Sequence, residues 1–82
     1  MGNVKRYLIM NTKESFGKRI RELRLKNNLT LEELGKLIGK PKQTINNWEM
    51  FVSTPPLETL WKLADYFDVS LDYLVGRNDN LC

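Results

Sequence analysis

With 82 residues, a single cysteine at position 82 and no histidine, the chain amounts to one small domain that must hold together on a compact core without an intramolecular disulfide. The missing histidines, the lone terminal thiol and the lack of a Gly-rich phosphate loop exclude the usual parts of nucleophilic, metal and nucleotide chemistry, so no catalytic site, metal or cofactor is expected. The net charge of +3 hides a division: residues 1–52 carry eleven Lys and Arg against five Glu, and residues 53–82 carry two against five acids. That polarity suits approach to a polyanion from one side, and on charge alone it equally describes a solvated surface.

Residues 1–13, "MGNVKRYLIMNTK", read as an arm. Its "VKRYLIM" tract leaves open a short strand, a helical extension or a dimer clasp, and it is too short for a membrane span or a secretory core. Residues 14–76 form the periodic body. Phe16, Ile20, Leu23 and Leu25 recur at helical spacing from Glu14 onward, and Asn27 and Asn28 end that first helix because Asn tolerates left-handed backbone. Thr30 with Glu33 three residues on is a capping-box pattern that starts a second helix. Its apolar stripe is Leu34, Leu37 and Ile38, and Gly39 stops it. Gly35 inside it costs about 0.5–1 kcal/mol relative to Ala, which predicts close approach by a neighbouring helix.

Pro41 opens a third helix, where its missing N–H does no harm. At 100° per residue Lys42, Asn46, Met50, Gln43 and Asn47 fall within an arc of about 140°, with Ile45 and Trp48 opposite. Such a helix buries an apolar back and presents carboxamides outward. The loop "MFVSTPP" follows, closed to helix by its prolines. A fourth helix runs from about Leu57 to Phe67 with Leu60, Trp61, Leu63, Ala64 and Phe67 as its buried side, and "DVSLDYLVG" gives a short fifth with Ser70 as cap and Gly76 as stop. Residues 77–82 form a frayed tail, and Cys82 in it reads as an inert free thiol.

A helix stopped by Gly39, a tight turn and a second helix with a polar outer face compose a helix-turn-helix unit, whose second member can enter the major groove. Gln and Asn match the N6 and N7 edge of adenine, and Lys donates to guanine O6 and N7. Lys42, Gln43 and Asn47 are therefore the leading base readers, with Asn46 next. Phosphate contacts fall to Lys36, Lys40, Thr44, Lys18 and Arg19, with Lys13 beside them, each adding about −0.9 to the salt slope. Lys5 and Arg6 would let the arm touch DNA. Trp48 and Trp61 read as core residues, while Phe51 and Val52 fit either the core or an interaction patch.

The stretch Phe16–Leu74, about three quarters of the chain, resembles the Cro/CI-type, lambda-repressor-like helix-turn-helix regulators, through "RIRELRLKNNLTLEELGKLIGKPKQTINNWE" and "PPLETLWKLADYFDVSLDYLVG". The resemblance implies an all-α fold of five helices. It implies a cytoplasmic, nucleoid-associated protein that works as a homodimer on a palindromic operator in double-stranded DNA, as a repressor, with room for a regulatory protein partner. It further implies an internal ion pair between Arg24 and Glu49, and dimer contacts near the fifth helix from Tyr66, Leu71, Tyr73 and Val75, with half-sites about 34 Å apart or a multiple of it.

Several positions depart from the family pattern. Leu31 stands where relatives often hold a phosphate-anchoring Gln, and Lys40 and Pro41 replace an apolar residue and a Ser or Thr cap. Phe51 stands where Gly is common, and Val52 and Ser53 where Lys or Arg is common, which removes phosphate contacts from that loop. The reading from another class is a protein-interaction module that uses the "MFVST" loop and the C-terminal apolar side chains.

Overall fold

The computed structural model describes residues 12–77; "VKRYLIM" with Lys5 and Arg6, and the terminal Cys82, lie outside the described residues. Five helices carry the chain: α1 (Thr12–Lys26), α2 (Leu31–Ile38), α3 (Lys42–Glu49), α4 (Leu57–Phe67) and α5 (Leu71–Leu74), with no strand among the described residues. Thr12 and Lys13, grouped with the arm on sequence, belong to the first turn of α1.

The starts of α2 and α5 follow from their caps. The Thr30 hydroxyl accepts from the Glu33 N–H at 3.0 Å while the Glu33 carboxylate accepts from the Thr30 N–H at 2.8 Å, which satisfies two otherwise orphan donors. The Ser70 hydroxyl accepts from the Tyr73 N–H at 3.0 Å. Pro41 is the N-cap of α3 rather than its first helical residue, in extended backbone with φ −69° and ψ 153°.

All five helices end alike. A residue of positive φ follows the last turn, and the N–H after it donates back to a carbonyl five residues upstream: Leu29 to Arg24, Lys40 to Gly35, Val52 to Asn47, Val69 to Ala64 and Arg77 to Asp72. This is the Schellman arrangement. The left-handed positions are Asn28, Gly39, Phe51, Asp68 and Gly76. Four are residue types that visit this region readily; Phe51 is the exception.

The core gathers Phe16, Ile20 and Leu23 from α1, Leu34 and Ile38 from α2, Ile45 and Trp48 from α3, Leu63 and Ala64 from α4, and Leu74 from α5. Phe16 meets Trp48 edge-on, with ring centroids 5.8 Å apart. Two expected core residues lie outside it. Trp61 is 56% exposed and Leu37 51% exposed. The buried arc of α4 runs from Thr59 through Leu63 to Ala64, and at 100° per residue Trp61 sits about 60° beyond its edge. In α2 the buried arc ends instead at Gly35, leaving Leu37 on the outer flank; Leu25 of α1 is exposed as well. A Cβ on Gly35 would collide with the Lys40 carbonyl, so its close neighbour is the turn that follows, not another helix.

Candidate nucleic-acid interface

Two buried side chains and one ion pair fix the orientation of α3. Ile45 and Trp48 sink into the core on its inner side. At its last residue, Glu49 receives Arg24 in a fork: Nε donates to Oε2 at 2.6 Å and Nη2 to Oε1 at 2.9 Å. The third arm of the guanidinium, Nη1, donates to the Leu29 carbonyl at 2.8 Å. Arg24 and Glu49 are both buried, and the ion pair expected from the family resemblance is present. The hydrogen bonds to Glu49 hold Arg24 above its ordinary guanidinium value, against the opposing effect of burial and with added Coulombic attraction from Glu49. A raised basic pKa contributes stability at every pH below the unfolded value and loses it only as pH rises through the folded one, so Arg24 introduces no pH dependence in the neutral range.

The outer side of α3 then faces solvent. Lys42 and Gln43 are exposed, and Asn46, Asn47 and Thr44 are half-buried. Gln43 Nε2 donates to Asn47 Oδ1 at 3.1 Å. That bond orders two amides one turn apart and leaves one carbonyl and one amino group of the pair for an external partner, whichever way the amides are assigned. A base edge with adjacent donor and acceptor is the complement of such a pair.

The basic residues divide. Lys36 is exposed and Lys40 half-buried beside the α2–α3 turn. Lys18 is exposed and lies 3.9 Å from Glu14, a surface pairing that contributes little. Arg19 is engaged elsewhere: its Nη1 donates to the Tyr73 carbonyl at 3.0 Å and its guanidinium carbon lies 4.2 Å from the centroid of the Tyr73 ring. Of the residues associated with dimer contacts, Leu71 and Tyr73 pack against the core and Tyr66 is exposed. Val75 lines an apolar cavity of about 310 Å³ together with Phe16, Pro55 and Leu60.

The turn out of α3 holds a pairing that carries little sequence signal. Phe51 has φ 64° and its ring lies over Gly17 of α1, where an added Cβ would come within 2.6 Å of Phe51 Cδ1 and 2.5 Å of the Trp48 carbonyl. A glycine in the middle of a helix was the one available hint. Phe51 is therefore partly packed, at 39% exposure, whereas Met50 and Val52 on either side are each 62% exposed.

Two short helices joined across a left-handed glycine, the second anchored inward by Ile45 and Trp48 and amide-bearing outward, define a helix-turn-helix domain. The HTH_3 helix-turn-helix family matches residues 20–74, and the chain belongs to it. It is 40% identical over 62 residues to an uncharacterized HTH-type transcriptional regulator, YobD, of Bacillus subtilis, covering 76% of this chain and 55% of YobD. It is 36% identical over 64 residues to the cryptic phage CTXphi transcriptional repressor RstR of Vibrio cholerae, covering 78% of this chain and 58% of RstR. The solution structure of the SOS-response transcriptional repressor LexA from Eubacterium rectale is similar in fold, with a TM-score of 0.73 and 30% identity over 78% of this chain and 68% of that one. The chain thus spans little more than half the length of the curated relatives named here. All three are named as transcriptional regulators or repressors. Among the described residues no helix is long and apolar enough to cross a membrane.

Proposed function

We propose that this domain is the sequence-specific DNA-binding part of a transcriptional repressor, with α3 lying in the major groove of a palindromic operator and two copies of the chain taking the two half-sites. The observation that carries the reading is the division of α3: Ile45 and Trp48 buried, Lys42 and Gln43 exposed, and Gln43 joined to Asn47 in an ordered amide pair. Helix-turn-helix regulators bind double-stranded DNA through this helix.

On this reading Gln43 and Asn47 read adenine, Lys42 reads guanine and Asn46 flanks them. Lys36, Lys40, Thr44 and Lys18 contact phosphates; Arg19 is left out because its guanidinium is committed to Tyr73. Tyr66, Leu71, Tyr73 and Val75, the last three with only the parts their own core leaves uncovered, contribute the contacts to the second copy. Repression is the sign supported by the names of RstR and LexA.

The test is to select bound sites from a random DNA pool and then measure Gln43→Ala and Asn47→Ala on the selected duplex. The expected result is a palindromic motif that each variant binds at least about fivefold more weakly, with circular dichroism and melting temperature unchanged, since a good bidentate pair discriminates by about 1–3 kcal/mol. Selection that yields no motif, or variants that bind as before, would favour the protein-docking reading instead.

A further inference from the structure

The reading arc of α3 has an anomaly at its middle. At 100° per residue the order around the outer face is Lys42, Asn46, Met50, Gln43, Asn47, so Met50 stands at the centre of the arc, about 40° from Asn46 and 20° from Gln43. The helical hydrogen-bond pattern reaches as far as Met50, the C-cap residue of α3, since the Met50 N–H donates to the Asn46 carbonyl at 2.9 Å. Its side chain therefore extends the same face by one turn. Met50 is 62% exposed, an uncharged thioether among four polar side chains. Core packing does not account for it: the hydrophobic residues gathered in or against the core do not include Met50. The turn behind it is pinned, because Phe51 is seated on Gly17 and the Val52 N–H donates to the Asn47 carbonyl at 2.8 Å.

We infer that Met50 is a specificity-determining residue that recognises the 5-methyl group of a thymine in the major groove. The inference rests on the DNA-reading assignment of α3 given above. Among the groups that base pairs present in the major groove, the thymine methyl is the apolar one, and apolar side chains are its natural contacts. One helical turn advances about 5.4 Å along α3, so Met50, one turn past Asn46 and two past Gln43, reaches a base pair one or two steps beyond that met by Asn46. A long, unbranched thioether adapts to a methyl group that it approaches from the side. The half-site that follows has thymine at the position facing Met50, next to the pair read by Asn46 and Asn47.

Replacement of thymine by deoxyuridine tests this directly, because it removes the methyl and leaves every hydrogen-bonding group of the base pair in place. The duplex selected by the native chain is remade with deoxyuridine at each thymine in turn, and each is titrated with the native chain, Met50→Ala and Met50→Leu. The expected result is one thymine per half-site whose methyl contributes about fourfold to native affinity, the factor for burying one such group. Met50→Ala binds the thymine and deoxyuridine duplexes equally, and Met50→Leu keeps a preference for thymine. Since Met50 is exposed, both variants should melt with the native chain, and that is checked alongside. Uniform tolerance of deoxyuridine by the native chain, or an unchanged preference in Met50→Ala, would overturn the methyl contact while leaving α3 as the reader. Loss of all sequence preference in the native chain would overturn both.

Discussion

At its upstream side α3 is preceded by Gly39, which takes the left-handed conformation with nothing within 4 Å of where a side chain would begin; at its downstream side the same conformation is taken by Phe51, whose ring rests on Gly17 of a different helix. Both turns carry the same backbone hydrogen bond, from Lys40 to Gly35 and from Val52 to Asn47. In the first the glycine sits in the turn and relieves torsion. In the second the glycine sits across from the turn and makes room. A phenylalanine in left-handed backbone costs about 1–2 kcal/mol, and since full burial of such a side chain returns about 1.5–3 kcal/mol, Phe51, left 39% exposed, returns a comparable amount. A turn can thus forgo its glycine when a neighbouring helix supplies one.

The downstream end of α3 is thus fixed by side chains and the upstream end by backbone, a difference that three measurements test. The largest effect belongs to Arg24→Ala, which leaves Glu49 buried without its partner and should cost about 3–5 kcal/mol, a fall of at least 12 °C or so in thermal unfolding for a domain of this size. An unchanged Tm would mean that the downstream end is held by something else. Next, Gly17→Ala should cost about 3 kcal/mol, near the upper part of the overpacking range, because the new methyl meets both a backbone carbonyl and the Phe51 ring. Gly39→Ala should cost only about 1 kcal/mol, its whole penalty being torsional. Urea denaturation of the two variants ranks them, and the reverse order would break the distinction between room and torsion. The smallest effect separates Phe51→Ala from Phe51→Gly. Both lose the ring, but only alanine keeps the strained backbone, so the glycine variant should be the more stable by about 1 kcal/mol.

Where the sequence was legible, local chemistry decided the outcome. The capping box at Thr30 and Glu33, the stops at Asn28, Gly39 and Gly76, and the buried Ile45 and Trp48 opposite the amides all depend on residues within a few positions of one another. Trp61 and Leu37 are apolar yet exposed, so apolar character does not by itself decide burial here. In a body this small each helix buries a narrow arc, and which arc is set by tertiary neighbours. Gly35 shows the same limit: its presence signalled a close approach, but the partner was the Lys40 carbonyl of its own turn. The Gly17–Phe51 contact spans 34 positions, and the mid-helix glycine signals a close approach without naming its partner. Arg19 counted as a basic residue on sequence, whereas the fold brings the Tyr73 ring and carbonyl to it.

Arg24 reaches the carbonyl of Leu29 before α2 and the carboxylate at the end of α3 from its own place in α1. α3 has eight residues, well short of the roughly 12–15 at which a helix begins to persist alone in water. Its order is therefore borrowed from the rest of the domain, and the outward surface disappears when the domain opens. Any molecule that captures that surface draws on the conformational equilibrium itself, so bound ligand should raise the midpoint of unfolding with the logarithm of its concentration, and warming should release it as the domain opens.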